Sequence, residues 1–84
     1  MSYAIQVSAA AERELFRLSR NVQTRLLSAI QKLIANPRQG AGLKKLQGES
    51  EAYRVRVGDY RVLYRVDDKR RLVMVVKAAH RREV

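Results

Sequence analysis

The stretch Tyr53 to Val66, YRVRVGDYRVLYRV, restricts the possible fold more than any other part of the chain. Apolar and polar residues alternate on both sides of Gly58-Asp59, the period of a half-buried strand and not of a helix. A two-residue loop that opens with Gly signals a hairpin, because the turns that match strand twist need positive φ. The loop then sets the register. Val57 lies opposite Tyr60, Arg56 opposite Arg61, Val55 opposite Val62, Arg54 opposite Leu63, and Tyr53 opposite Tyr64. Directly opposed residues share a face. One face is Tyr53, Val55, Val57, Tyr60, Val62, Tyr64 and Val66, which is a core face. The other carries Arg54, Arg56, Arg61 and Arg65 around Leu63.

Like charges directly opposite one another destabilise a sheet. No carboxylate lies on the same face of this stretch to offset them. Ser, Thr or Gln would satisfy the fold at these positions equally well. An arginine cluster is best explained by an anion that sits on it. The plain alternative is a solvated face kept for solubility.

Eighty-four residues make one domain, 1–84, with one modest core. The hydrophobic fraction of 46% argues against wholesale disorder. The chain has no cysteine, so it has no disulfide framework, thiolate metal site or thiol nucleophile. One histidine makes a protein-only metal site an unpromising reading. No run of about 18 apolar residues and no signal-peptide pattern is present, so the expectation is a soluble cytoplasmic protein with no membrane partner. The net charge is +10, which favours nucleic acid, an acidic protein or an anionic surface. Thirteen Arg outnumber five Lys, and the planar guanidinium makes two parallel hydrogen bonds to a phosphate or carboxylate. Five aromatic residues, four of them Tyr, are few for a platform that stacks many bases.

Tyr3 to Val7 alternates and predicts a short strand. Ser8 is a good N-cap for a helix from Ala9 to about Leu18, with Ala11, Leu15 and Leu18 in a stripe. Ser19 or Asn21 caps a second helix that runs to about Ala35, with Val22, Leu26, Ala29, Ile30 and Leu33 at helical spacing. Asn36-Pro37 ends it, because the residue before Pro is pushed out of the α region. Two helices joined so closely form an antiparallel hairpin whose apolar stripe needs a sheet. Pro37 to Glu51 is a long Gly-containing loop with Lys44-Lys45 and a strand-like piece at Leu43 to Leu46. Its length hints at function or a lid. The hairpin follows, then a turn at Asp67 to Arg70. Leu72 to Ala78, LVMVVKA, is near-continuously apolar and reads as a central strand. The basic end is Ala79-His80-Arg81-Arg82-Glu83-Val84. The order β-α-α-β-β-β predicts an α+β domain, a helical hairpin on one face of a small antiparallel sheet. The arginine face is then the open one, and Arg81 can curl back towards it.

Most catalytic sets are absent. There is no Ser/His/Asp arrangement with motif support, no GxxxxGK loop and no suggestive carboxylate pair. Gly40-Ala41-Gly42 is not a dinucleotide fingerprint without a strand before it and a helix after it. What remains is cationic. Arg and Lys can stabilise charge on a pentacoordinate phosphorane and its leaving oxygen. RNA brings its own nucleophile, the 2′-OH, and orienting it in line with phosphorus requires neither metal nor cofactor. His80 is a candidate acid or base and equally a plain surface residue.

The β-α-α-β-β-β order, NPRQGAGLKKLQG, AYRVRVGDYRVLYRVDD and LVMVVKAAHRREV together resemble the RelE/ParE superfamily of bacterial toxins, over essentially the whole chain. The resemblance implies a RelE-like fold and a toxin of a toxin–antitoxin pair. RelE-type members cleave mRNA in the ribosomal A site, without metal, through the 2′-OH. By this resemblance Arg54 and Arg56 match the basic pair on the first hairpin strand. Arg61 would hold the scissile phosphate, and Arg81 would serve the transition state or leaving group. Lys45 matches a basic loop position that would contact the RNA backbone, and Lys44, Arg65, His80 and Arg82 are further candidates for substrate binding. The implied partners are a cognate antitoxin in a hetero-oligomer, the ribosome and mRNA. Members with this ending commonly continue with a Tyr that stacks on the base, whereas this sequence stops at Val84, which suggests a truncated or weakened toxin. A ParE-type gyrase inhibitor without ribonuclease activity is the alternative within the superfamily.

Overall fold

The computed structural model describes residues 2–48 and 50–83. Strand β1 (Ala4–Val7) runs directly into helix α1 (Ala9–Phe16), and the switch is made by Ser8, whose hydroxyl accepts from the Ala11 amide at 3.1 Å. Helix α2 (Arg20–Lys32) begins the same way, with Ser19 accepting from the Val22 amide at 3.4 Å. Such a cap satisfies one of the four amides a helix start leaves open. Of the two cap candidates the chain uses Ser19. Both helices end two or three residues before the sequence pattern does. Their last turns tighten into i→i−3 bonds, Arg17 N to Glu14 O at 3.3 Å and Leu33 N to Ile30 O at 3.0 Å.

Four further strands follow: β2 (Leu43–Lys45), β3 (Ala52–Val57), β4 (Tyr60–Asp67) and β5 (Leu72–His80), with a closing 3-10 turn at Arg81–Glu83. Their order in the sheet is β1-β5-β4-β3-β2. The β3–β4 register is the one the Gly58-Asp59 turn dictates, with Val57 opposite Tyr60 and Arg56 opposite Arg61. Gly58 takes φ +59, as such a turn requires. The sheet is mixed, not antiparallel as expected, because β1 pairs with β5 in parallel. Parallel partners need a long crossover, and the two helices and the β3–β4 hairpin supply it. The apolar β5 is interior as expected, but the middle strand is β4.

The helices cover one face, α1 against β5 and α2 against β3. Ala11, Leu15, Leu26, Ile30 and Leu33 close on Val55, Val62, Tyr64, Val66, Val73 and Val75, all buried. Fully burying a side chain of this size stabilises by about 1.5–3 kcal/mol. Tyr53 and Tyr64 stack with centroids 5.8 Å apart. The Tyr64 hydroxyl donates to Pro37 O at 2.6 Å, and burial pushes its pKa up.

One residue changes the meaning of β5. Leu63 pairs with Lys77 but Tyr64 pairs with Val75, so Val76 is an extra residue, a β-bulge. Before it, Val73 and Val75 face the helices. Beyond it the parity flips, so Ala78 lies opposite core residue Val62, and Ala79 lies opposite Arg61. The edge of β5 beyond β1 is covered by Glu14, which accepts from Ala78 N at 3.0 Å and from Lys77 Nζ at 3.2 Å. Among the described residues no helix is long and apolar enough to cross a membrane.

Candidate functional site

Strand alternation and register put Arg54, Arg56, Arg61 and Arg65 on the face away from the helices. Lys44 joins them, because β2 sets it opposite Arg54. The loop read as a lid is tied to the sheet: Leu46 N donates to Ala52 O at 2.9 Å and Arg56 N to Gly42 O at 3.0 Å. Gly42 permits that approach. It sits at φ +74, and a Cβ there would lie 2.7 Å from the Arg56 carbonyl oxygen.

Arg61 is the least ordinary member of the face. It is half-buried, flanked by Arg56 on β3 and by the small, buried Ala79 on β5. Its Nε is buried and has no hydrogen-bond partner. A buried polar group left unsatisfied costs about 1–3 kcal/mol, and more when charged. Among the described residues no carboxylate pairs with Arg54, Arg56 or Arg61. The expectation that the arginine face holds no carboxylate is corrected at one end. Strand β4 runs to Asp67, whose parity is that of Arg65, so an acidic group stands beside Arg65, about 20 Å along the strand from Arg61.

Arg81 stands at the opposite end, at the hairpin turn. Its amide donates to Asp59 O at 2.7 Å, and its Nε lies 3.8 Å from Asp59 Oδ1. Both side chains of that pair are more than half exposed, so the pair is weak and leaves the cation available. Arg82 is exposed in the 3-10 turn. Two candidates lie elsewhere. Lys45 pairs with Tyr53 and so takes the helix-side parity of β2, where it is exposed. His80 pairs with Tyr60 and meets its ring edge-on at 5.4 Å. Its Nδ1 accepts from Arg82 N at 3.3 Å. The bulge at Val76 is the reason His80 turns to that side. The structure therefore gathers Arg54, Arg56, Arg61 and Lys44 on one face, with Arg81 at its tip. Val84, where the sequence ends, lies outside the described residues.

One arginine that sequence reasoning passed over has the densest contacts. Arg38 donates to Asp68 Oδ2 at 2.9 Å, Asp68 Oδ1 at 3.1 Å, Tyr53 OH at 3.1 Å and Tyr3 OH at 3.4 Å, and it also pairs with Glu51. Tyr3 OH donates to Asp68 Oδ1 at 2.7 Å. The Asp68 and Glu51 carboxylates hold Arg38 further above its ordinary pKa, and Arg38 holds the Asp68 carboxyl below the usual range. Glu51 sits at φ +57, unusual for a side chain other than Gly. Arg38 and Glu51 thus close the neck of the loop that carries β2. No local pattern could reveal this, since the partners come from the residue before β1, the end of the loop, β3 and the β4–β5 turn. Among the described residues no group of three or more His, Cys, Asp or Glu is placed to hold a metal ion.

Solved structures share this fold. The RelE–RelB complex of Pyrococcus horikoshii is 28% identical, with 100% of each chain covered and a TM-score of 0.84. The toxin–antitoxin complex RelBE2 of Mycobacterium tuberculosis is 27% identical, covering 95% of this chain and 99% of that one, at 0.83. The intact RelBE toxin–antitoxin complex of E. coli is 25% identical, covering 94% and 96%, at 0.84. No curated protein sequence matches. The family described as "ParE toxin of type II toxin-antitoxin system, parDE" matches residues 5–84. With that match over nearly its whole length, the chain belongs to the ParE toxin family, and it is a type II toxin of the RelE/ParE superfamily.

Proposed function

We propose that this toxin is a ribosome-dependent endoribonuclease that cleaves mRNA through the RNA's own 2′-OH. The observation that carries the reading is the Arg61 Nε, buried and unpaired on a face where, among the described residues, Arg54, Arg56 and Lys44 have no carboxylate partner. A phosphate oxygen is the acceptor such a group lacks. Arg61 holds the scissile phosphate, Arg54 and Arg56 spread the charge that builds on its oxygens, and Arg81 serves the leaving oxygen from the turn. Fixed cations of this kind act where charge develops and need no reorganisation in the reaction. Lys44, Arg65 and Arg82 contact the RNA backbone on either side. His80 and Lys45 take no part in the chemical step, because their register turns them to the other side. The reading places the protein in the cytoplasm, on translating ribosomes.

The acidic partner that the +10 charge calls for is a cognate antitoxin. The similar toxins from P. horikoshii, M. tuberculosis and E. coli were solved in complex with theirs. A second reading is favoured by the matched family itself, a ParE-type poison of DNA gyrase without ribonuclease activity. Primer extension on ribosome-bound mRNA separates the two. Position-specific cuts made by the wild type and lost in Arg61→Ala support the nuclease. Inhibited supercoiling with no such cuts supports the gyrase poison.

A further inference from the structure

Beyond the open face, one more arginine reaches the hairpin turn, and it comes from a helix. Arg25 of α2 lays its guanidinium over Gly58: Nη2 is 2.7 Å, and Cζ 3.6 Å, from where a Cβ on that glycine would be. Gly58 supplies the φ of +59, and the Arg25 guanidinium fills the space beside it. Arg56 reaches the same residue from the strand, with Nε donating to Gly58 O at 3.4 Å. Arg81 reaches the next one, with Nε 3.8 Å from Asp59 Oδ1. Three guanidinium groups thus converge on two consecutive residues, and Asp59 is the one carboxylate paired there among the described residues. Among the described residues Arg25 itself has no acidic partner. Like charges gathered at a turn repel one another, and neither the turn's geometry nor its hydrogen bonds require Arg25 to be there.

We propose that Arg25, with Arg56 and Arg81, forms a second phosphate subsite at the tip of the β3–β4 hairpin, which binds the RNA backbone next to the phosphate held by Arg61. The inference rests on the nucleic-acid reading above and deepens it. Arg56 links the two subsites, since it stands directly opposite Arg61 in the register and its Nε reaches Gly58 O at the turn. Phosphate is favoured over a partner's carboxylate because Arg56 and Arg81 border the arginine face of the sheet at the turn, and Arg25 meets them there from α2. A phosphodiester also offers oxygens to forks arriving from more than one direction.

The test is equilibrium binding of a short single-stranded RNA to the full chain across a series of salt concentrations. Each phosphate contact on single-stranded nucleic acid contributes about 0.7 to the slope of log K against log salt. Arg25→Ala is expected to flatten the slope by about that amount and to weaken binding roughly three- to tenfold at moderate salt. Arg25→Lys keeps most of the slope. Lys69→Ala, in the turn at the other end of β4 and about 23 Å along the strand, leaves it unchanged. An unchanged slope in Arg25→Ala, with ribosomal cuts still dependent on Arg61, overturns the subsite and leaves the nuclease reading intact. Wild-type protein that neither binds RNA nor cuts on ribosomes overturns both. If Arg25→Ala binds RNA normally but loses affinity for poly-glutamate, the tip reads carboxylates and the proposal fails.

Discussion

Arg38 and Arg61 sit at the two ends of one small sheet and carry the same side chain in opposite circumstances. Arg38 has two carboxylates and two tyrosine hydroxyls around it. Arg61 has a buried Nε with no acceptor and another arginine directly opposite. The first arrangement gives a half-buried cation its partners and ties four separate parts of the chain together. The second leaves the demand open. A guanidinium that the fold satisfies reads as structure, and one that the fold leaves unsatisfied reads as a place for a ligand. The two should therefore respond to substitution in opposite ways.

The largest expected effect is on chemistry. Arg61→Leu should reduce ribosome-dependent cutting by about 100-fold or more, the scale for losing one fixed donor to a developing oxyanion. Its resistance to urea should be unchanged or slightly higher, since it removes a half-buried guanidinium whose Nε is unpaired. Arg38→Leu should do the reverse. Unfolding free energy should fall by about 1–2 kcal/mol, a figure discounted for solvent because the paired groups are between 32% and 58% exposed. The folded fraction of that variant should keep near-normal cutting. Equal losses of stability in the two variants would erase the distinction.

A smaller effect sharpens it. Arg54→Ala should flatten the salt dependence of RNA binding by about 0.7, one phosphate contact, whereas Arg38→Ala should leave it alone. The smallest effect is a pH response confined to the Arg38 end. Asp68 has its pKa depressed in the folded state by Arg38 and Tyr3. Its contribution is fully present above the unfolded carboxylate value of about 4 and is lost as pH falls below it. Wild-type midpoints in urea should drop between about pH 6 and about pH 3, and the drop should shrink in Asp68→Asn.

How far the sequence could be read depends on the range of each interaction. The β3–β4 hairpin was fully legible, down to each opposed pair, because turn type and alternation act over a few residues. The Ser8 cap belongs to the same class, whereas the second cap was open between Ser19 and Asn21. Helix ends were overrun by two or three residues, since the apolar stripe continues through the final tightened turn. Of the site residues, Arg54, Arg56 and Arg61 follow from the hairpin alone. His80 and Lys45 do not. His80 faces the way it does because of a bulge at Val76, and nothing in the apolar run LVMVVKA marks which residue is the extra one.

Local order in the chain, by itself, determined the arginine face, because residues two apart on a strand must share a side. Tertiary structure alone decided that β1 lies parallel to β5, that Arg38 is neutralised, and that Arg25 reaches Gly58. Each of those depends on groups distant in sequence, whose meeting is set by how helices and strands pack and not by any short-range preference.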